Sequence, residues 1–473
     1  MKTDCNLKRL HFGRLGRREI VADFGGGQLS SDGGCLLLRQ VEEKTDLIGG
    51  FARHAMRDYR DASRIEHTLP ELLKQRVFGL ALGYEDLCDH DELRRDPLLA
   101  SAVGKNDPSG HSRGRRNLGR PLASSATLHR LETTAENPAH ERYLRFDVDP
   151  EAADDYFLEH FVASMKRKQR AAPKELVIDL DPSDVELHGK QEGRFFHGYY
   201  GHYCYLPLFV YCGDYLLCVR LQTADRDPAR HTVEVMKKIV NKLRSVWPKV
   251  RIVLRADSGF SREEIYAWCE AHSVDFVIGL ARNPRLEAVI AEGLAEAKGL
   301  CQATGQAARL FSAFDYRTQE TWSRQRRVIA KAEALPLGQN PRFVTTSLLD
   351  RDPRWIYEDL YCQRGEAENR IKEQQLYLFG DRLSAETMRA NQNRLYFSAL
   401  AYLLIRELRE TGLRGTDMAQ ARADTIRLRL FKIAAQVRVT VRKVWVRLSS
   451  ACPFAEVFQK AQASLIACPQ LVM

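Results

Sequence analysis

The sequence is poor in the features that mark a secreted, membrane-embedded or zinc-stapled protein. None of its 11 cysteines falls in a CxxC pair, so a structural zinc site is not expected. An odd number of cysteines scattered through 473 residues suits a reducing cytoplasm. Met1 to Glu19 is charged and lacks an apolar stretch, which argues against a secretory leader. No run approaches the roughly 18 to 20 apolar residues of a membrane span. The best, Leu395 to Leu408, is too short and carries Arg406 and Glu407. There is no GxxxxGKS or GxxxxGKT and no GxGxxG, so Gly25-Gly26-Gly27 reads as a turn before a helix rather than a phosphate cradle. No internal repeat stands out. The length implies about two to four domains.

What is present is positive charge. Lys and Arg number 72 against 62 Asp and Glu, a formal net charge of +10. A surplus of that size attracts polyanions, of which nucleic acid is the commonest large one. Lys105 to Leu122 holds His111, Arg113, Arg115, Arg116 and Arg120 among Gly, Ser and Pro, without apolar periodicity. Such a loop suits phosphate contacts, because Arg pairs bidentately with phosphate oxygens. It reads equally well as a solvated loop that binds nothing. The rest of residues 1 to about 170 reads as mostly helical. Leu36, Leu37, Leu38 and Val41 mark one helix, with Ser31 or Asp32 to cap it; His67 to Leu82 marks a buried helix and Leu122 to Glu132 a short one.

From Glu175 the pattern changes. Glu175 to Asp181 is a short strand ending in a carboxylate, and Tyr203 to Tyr211 and Tyr215 to Gln222 read as two further strands joined near Gly213-Asp214. Arg230 to Val246 has helical periodicity. Arg251 to Leu254 is a buried strand leading into Asp257, Ser261 to His272 a helix, and Asp275 to Leu280 another strand. This order implies a mixed α/β sheet with an antiparallel edge. Residues 286–356, with strands at Arg309 to Thr318, Ser323 to Ala332 and Arg342 to Leu348, read as a β-rich insertion. Helical pattern returns from Tyr357 to Glu410, and Arg422 to Ser449 alternates apolar and basic residues.

Two aspartates thus end strands, Asp181 and Asp257, and in an α/β sheet ligands gather at the carboxyl ends of strands. A third acid, Glu368, lies in a helical segment where Tyr361, Arg364, Glu368, Lys372 and Gln375 share one face. Phosphodiester cleavage needs an activated water and charge neutralisation at the leaving oxygen, which two Mg²⁺ ions roughly 3.5 to 4 Å apart supply. Mg²⁺ takes a few carboxylate oxygens and keeps its other positions for water or substrate phosphate. Each acid alone is more often structural; the conjunction with a basic helix face is what points to chemistry. Asp179 and Asp181 fall on the same strand face, so either is a candidate first ligand. Glu366 rivals Glu368 but lies about 200° away around the helix.

At these residues the chain resembles the bacterial insertion-sequence DDE transposases marked by Tyr-x2-Arg-x3-Glu-x6-Lys. Tyr361, Arg364 and Glu368 match; the last position is Gln375, and Lys372, one turn nearer, is the candidate to replace it. Asp181-Pro182-Ser183-Asp184 and Asp257-Ser258-Gly259-Phe260 look like the first and second acid motifs. His188 to Gly193 followed by Tyr199-Tyr200-Gly201 resembles one insertion-sequence subgroup, whose pattern extends from about Phe24 to Phe454. The resemblance implies a ribonuclease H-like core split by the β-rich insertion and flanked by helical N- and C-terminal regions. Expected divisions are 1–170 for DNA binding, 171–285 and 357–410 for the core, 286–356 for the insertion, and 411–473 for a basic tail.

The implied activity is metal-dependent cleavage at terminal inverted repeats followed by 3′-hydroxyl strand transfer into target DNA. Asp181, Asp257 and Glu368 are the implied catalytic residues and hold two Mg²⁺, with Mn²⁺ as a possible substitute. Double-stranded DNA is the partner, a homodimer forms the synaptic complex, and the location is the bacterial cytoplasm, on the nucleoid when DNA-bound. Tyr361, Arg364, Lys372, Arg113, Arg115 and Arg116 are candidate DNA contacts. Relatives use an aromatic in the insertion to stack on a displaced base; Trp322 is the candidate here, against the plainer reading of a core tryptophan. Tyr199, Tyr200, Tyr203 and Tyr205, near Lys190 and Arg194, line DNA or, as is commoner, pack a sheet. Two rivals are a structure-selective nuclease on the same core and a domesticated, non-catalytic DNA-binding protein.

Overall fold

The computed structural model describes residues 9–169 and 171–471, which divide into two compact units. One is built from residues 148–399 with residue 471, the other from the flanking segments up to residue 147 and from 400 to 470.

The 148–399 unit is organised on one large mixed sheet. It opens with helix α1 (Pro150–Lys168), whose start is set by Asp149, accepting from the backbone N–H of Glu151 and Ala152. Strands β1 (Glu175–Pro182), β2 (Leu208–Cys212) and β3 (Tyr215–Arg220) form an antiparallel meander. Helix α2 (Thr232–Val246) then crosses to β4 (Arg251–Ala256), parallel to β1, and helix α3 (Glu263–Ala271) crosses to β5 (Asp275–Leu280), parallel to β4. The expected strand from Tyr203 to Tyr211 is two. Pro207 removes a ladder donor, so His202–Tyr205 pairs in a small separate sheet and only Leu208–Cys212 joins the large one.

Residues 286–356 differ from the expected β-rich insertion. They begin in helix α4 (Pro284–Val289) and continue through α5 (Ala291–Thr304). The strands that follow, β6 (Ala308–Tyr316), β7 (Arg326–Leu335), β8 (Gly338–Gln339) and β9 (Arg342–Thr346), continue the same sheet, in the order β3-β2-β1-β4-β5-β9-β7-β6 with β8 on β7. Pairing of β9 with β5 covers an edge that the apolar Phe276–Ile278 would otherwise expose.

Strand alternation sorts the side chains. Ile178 and Leu180, Ile252 and Leu254, and Phe276 and Ile278 enter one core with Val235, Ile239 and Leu243 of α2. Val253 and Val277 enter a smaller core on the other face, with Ile329, Val344, Ile356 and Leu360. Asp179, Asp181, Arg255 and Gly279 share the parity of that second face.

The other unit holds helices at Cys35–Thr45, Leu47–Ala55, Leu69–Leu82, Pro97–Val103, Ser125–Glu132 and Ala455–Ala467. It is not purely helical. Leu10–Leu15 and Arg18–Ala22 form a hairpin, and Leu29–Ser30 pairs with Ala435–Val439, which pairs with Val444–Leu448. The alternation read in the basic tail is that of a strand, so the expected helical C-terminal region carries a β-hairpin. The first helix is preceded by Gly34, and neither Ser31 nor Asp32 caps it. A Cβ on Gly34 would stand 1.9 Å from the Leu430 carbonyl oxygen, so only glycine lets these segments meet. Asp32 is instead buried, accepting from Lys432 Nζ at 2.7 Å and from the Tyr84 hydroxyl at 2.7 Å. No helix among the described residues is long and apolar enough to cross a membrane.

Acid should destabilise this unit. Burial pushes His90 down to about 3, with Arg76 adding to the effect, and pushes His67 down to about 3, with Lys105 and Arg113 adding. Both are neutral in the fold, so their contribution is complete above the unfolded value near 6.5 and is lost as pH falls toward 3. Each unit of pH below 6.5 costs about 1.4 kcal/mol per histidine. Thermal unfolding should therefore weaken steeply between pH 6.5 and pH 5, and His90→Gln should flatten that slope. An unchanged slope would show that burial of His90 is not what makes the fold acid-sensitive.

Candidate active site

The parallel register of β1 and β4 sets the first two acids side by side. Leu180 pairs with Ala256, so the next residues, Asp181 and Asp257, leave neighbouring strands at the same level, about 5 Å apart along the sheet. Asp257 is turned by its own loop: its Oδ1 accepts from the Gly259 backbone N–H at 2.8 Å and starts the turn Ser258–Phe260.

Glu368 arrives on a helical segment whose entry is irregular. From Pro353 the chain winds through a wide turn at Ile356–Tyr361 and a tight one at Cys362–Arg364 before settling into α6 (Gly365–Leu378). Ile356 and Leu360 bury in the second core, and the Leu360 carbonyl accepts from Arg255 Nη1 at 2.6 Å. Arg255 also makes a fork to Asp179, with Nε to Oδ1 at 2.5 Å and Nη2 to Oδ2 at 2.8 Å. The two are direct partners across β1 and β4, and both are buried. Asp179 is thus committed to holding the helix on the sheet, which separates it from Asp181. Arg255 went unnoticed in the sequence; the signal was a charged residue inside an apolar strand.

Arg364 joins the first and third acids. Its Nη1 lies 3.2 Å from Asp181 Oδ2 and its Nη2 lies 2.5 Å from Glu368 Oε1. Burial works against its charge, but Asp181, Glu368 and Asp257 more than offset this and hold its pKa above the usual value. Asp181 is buried, and that burial pushes its carboxyl up to about 7; Arg364 opposes the rise, while Asp257 and Glu368 add to it. Glu366 faces away, exposed and 3.5 Å from Arg370 Nη2, so Glu368 is the acid of this helix that reaches the strand ends.

Tyr361 fits through a missing side chain. A Cβ on Gly279, in the middle of β5, would stand 2.5 Å from the Tyr361 hydroxyl and 2.9 Å from the Ser258 backbone nitrogen. Glycine there lets the phenol lie against the turn that carries Asp257. Gln375 is buried rather than presented to a ligand. Its Oε1 accepts from Ser183 Oγ at 3.2 Å and its Nε2 donates to the Asp184 carbonyl at 3.2 Å, steadying the loop after Asp181. Lys372 is exposed.

Two other candidate contacts are otherwise engaged. Trp322 is buried, edge-on to Tyr266 and Tyr316 and beneath the Arg326 guanidinium, so it offers no free face to a base. Arg113 pairs with Glu66 at 2.8 Å and bonds to His67 Nε2, whereas Arg115 and Arg116 are exposed.

The donor set suits a hard divalent cation. Three carboxylates supply oxygen ligands, and the lifted Asp181 registers the negative charge they crowd together. Among the described residues no three acidic, histidine or cysteine side chains form a closed metal cluster, since Arg364 stands between Asp181 and Glu368.

The residue types, order and spacing of this site match a known family. Residues 12–470 match the family model described as Transposase DDE domain group 1. The chain belongs to this DDE transposase family. The transposase assignment therefore covers both units, because the match spans almost the whole chain. No curated protein sequence matches this family member. Among solved structures it is similar to a piggyBac transposase synaptic complex with hairpin DNA, with a TM-score of 0.39 and 11% identity over 84% of this chain and 79% of that one.

Two outcomes test the architecture. Arg255→Met leaves Asp179 buried without its partner and should cost about 3 to 5 kcal/mol in urea unfolding, whereas Arg255→Met with Asp179→Leu should recover most of it. Full stability of the single variant would remove the anchoring role. Gly279→Ala should lower DNA cleavage by about 100-fold through displacement of Tyr361 and the Asp257 turn. Adding Tyr361→Phe, which deletes the crowding hydroxyl, should restore part of the rate; no restoration would mean that Tyr361 is not what Gly279 accommodates.

Proposed function

We propose that this DDE transposase moves a bacterial insertion sequence by cut and paste: cleavage at the terminal inverted repeats, then attack of the freed 3′-hydroxyl on target DNA. Asp181, Asp257 and Glu368 are its catalytic carboxylates. The observation that carries this is the shared level of Asp181 and Asp257 at adjacent strand ends, with Glu368 joined to Asp181 through Arg364. An antiparallel meander followed by two parallel strands with crossover helices supports a ribonuclease H-like core, and Tyr361, Arg364 and Glu368 support the Tyr-Arg-Glu-Lys group.

The three acids would hold two Mg²⁺, or Mn²⁺ in their place. When bound, these ions activate the attacking water or hydroxyl and neutralise charge on the leaving oxygen. The chain's own residues do the positioning. Asp257 is oriented by the Gly259 N–H, Asp181 by its place on a central strand, and Glu368 by the docking of α6. Arg364 offsets carboxylate charge and has a planar fork suited to a phosphate oxygen of bound DNA. Lys372, Arg115 and Arg116, all exposed, are the cations available to the DNA backbone. The DNA is double-stranded, the synaptic complex pairs two ends on a homodimer, and the protein works on the nucleoid in the bacterial cytoplasm.

The test is a cleavage and strand-transfer assay with Mg²⁺ and DNA carrying the element's ends. Asp181→Asn, Asp257→Asn and Glu368→Gln should each lower nicking and joining by on the order of 10³-fold or more while leaving DNA binding. Nicks that persist in Glu368→Gln would mean a different third ligand. Tight binding without cleavage by the wild-type protein would make the chain a DNA-binding protein derived from a transposase.

A further inference from the structure

Four residues after Asp181 the chain leaves the large sheet for a small one of three strands. Val185–Glu186 pairs with His202–Tyr205, which pairs with Phe195–His197 across a short turn. No more than about 14 Å of extended chain separates Asp181 from Val185. The hairpin is fastened to the loop between them: His202 Nε2 lies 3.0 Å from Asp184 Oδ2, and the Ser183 N–H donates to the Pro207 carbonyl at 3.2 Å. Tyr200 lies at its turn, where burial and then the Asp184 carboxylate raise the phenol to about 12, with Asp181 adding to the rise.

This hairpin exposes aromatic rings that a sheet would ordinarily bury. Phe195 is 41% exposed, Phe196 58%, Tyr199 86% and Tyr203 44%. Phe196 and Tyr203 are direct cross-strand partners with ring centroids 5.6 Å apart, and the Arg194 guanidinium lies 4.5 Å from the Tyr203 ring centre. Lys190 precedes them, exposed. The cores of protein–protein interfaces are depleted of charge. Rings interleaved with cations instead suit unpaired nucleotides, whose bases stack on the rings while their phosphates meet the cations.

We propose that the hairpin from Phe195 to Tyr205 is a stacking platform for unpaired DNA bases beside the cleaved phosphate, the role for which Trp322 was a candidate and from which its burial removes it. The inference rests on the proposed transposase reading. Its occupant is a short single-stranded stretch a few nucleotides from the scissile bond. Stacking is tolerant of sequence, so the platform needs no particular terminal repeat.

The experiment uses the full chain and two probes, a blunt duplex and the same duplex with a single-stranded overhang carrying a fluorescent adenine analogue that is quenched by stacking. Wild-type protein should prefer the overhang probe and quench it. Phe196→Ala with Tyr203→Ala should lower the overhang-to-blunt affinity ratio by about 5-fold or more and abolish the quench. Phe196→Tyr with Tyr203→Phe, which keeps both rings, should retain both signals and so control for folding. A ratio and quench unaltered in the alanine variant would overturn the platform while leaving the transposase reading intact. A change in oligomeric state without change in the ratio would assign the patch to a second copy of the chain and overturn it as well. Failure of the wild-type protein to bind either probe would overturn the transposase reading, and the platform with it.

Discussion

The fork between Arg255 and Asp179 is the contact on which the candidate site depends. One guanidinium ties three elements: its own strand β4, the neighbouring strand β1 through Asp179, and the helical entry to α6 through the Leu360 carbonyl. Burial lifts the Asp179 carboxyl above the usual carboxylate range, and the bonds from Arg255 pull it back. Such a pair adds little net stability compared with well-packed apolar residues, because both ions give up hydration. What it adds is geometry. A planar fork accepts few orientations, so it holds the segment leading to Tyr361, Arg364 and Glu368 at a set height above the strand ends.

With that height set, strand alternation does the rest. Asp179 and Asp181 lie two apart on β1, Arg255 and Asp257 two apart at the end of β4, and Val277 and Gly279 two apart on β5. All point to the face that the helical segment covers. The inner member of each pair serves packing or anchoring and the outer member serves the site, so one parity supplies both support and chemistry. The cost appears in Asp181. Burial, with Asp257 and Glu368 nearby, raises its carboxyl to about 7 despite Arg364. A fold spends stability in this way where charge is wanted for a ligand rather than for itself.

The elements around the acids were legible because their signals are local. Apolar runs ending in Asp181 and Asp257 read as strands from composition, and the Tyr361-Arg364-Glu368 spacing reads from helix periodicity alone. What was not legible depends on pairing between distant segments. Nothing near Arg342–Thr346 says that it will sit beside β5, so strands that extend the sheet look like an insertion. Trp322 is polar in its sequence neighbourhood yet buried, because Tyr266 and Arg326, far away in the chain, close over it. Arg113 looks mobile within its basic loop, but Glu66 and His67 hold it. Gly279 carries a weak local signal, a glycine within an apolar strand, whose meaning needs the position of Tyr361.

Gln375 shows how one helix can divide these duties. The resemblance places a lysine at this position, yet the side chain here is buried, and its amide bridges Ser183 and the Asp184 carbonyl. An amide can do this because it both donates and accepts. A lysine has three donors and no acceptor, so it would leave the Ser183 hydroxyl without its acceptor and would bury a charge beside the already crowded Asp181. On α6 the cation therefore sits three residues earlier, at exposed Lys372, while Ala367, Ile371 and Leu378 pack inward and Arg364 and Glu368 reach the acids. The exchange couples the third acid to the loop of the first. Whatever moves α6 moves Ser183 and Asp184, and with them the start of the aromatic hairpin, so acids and hairpin are set by one helix rather than by independent loops.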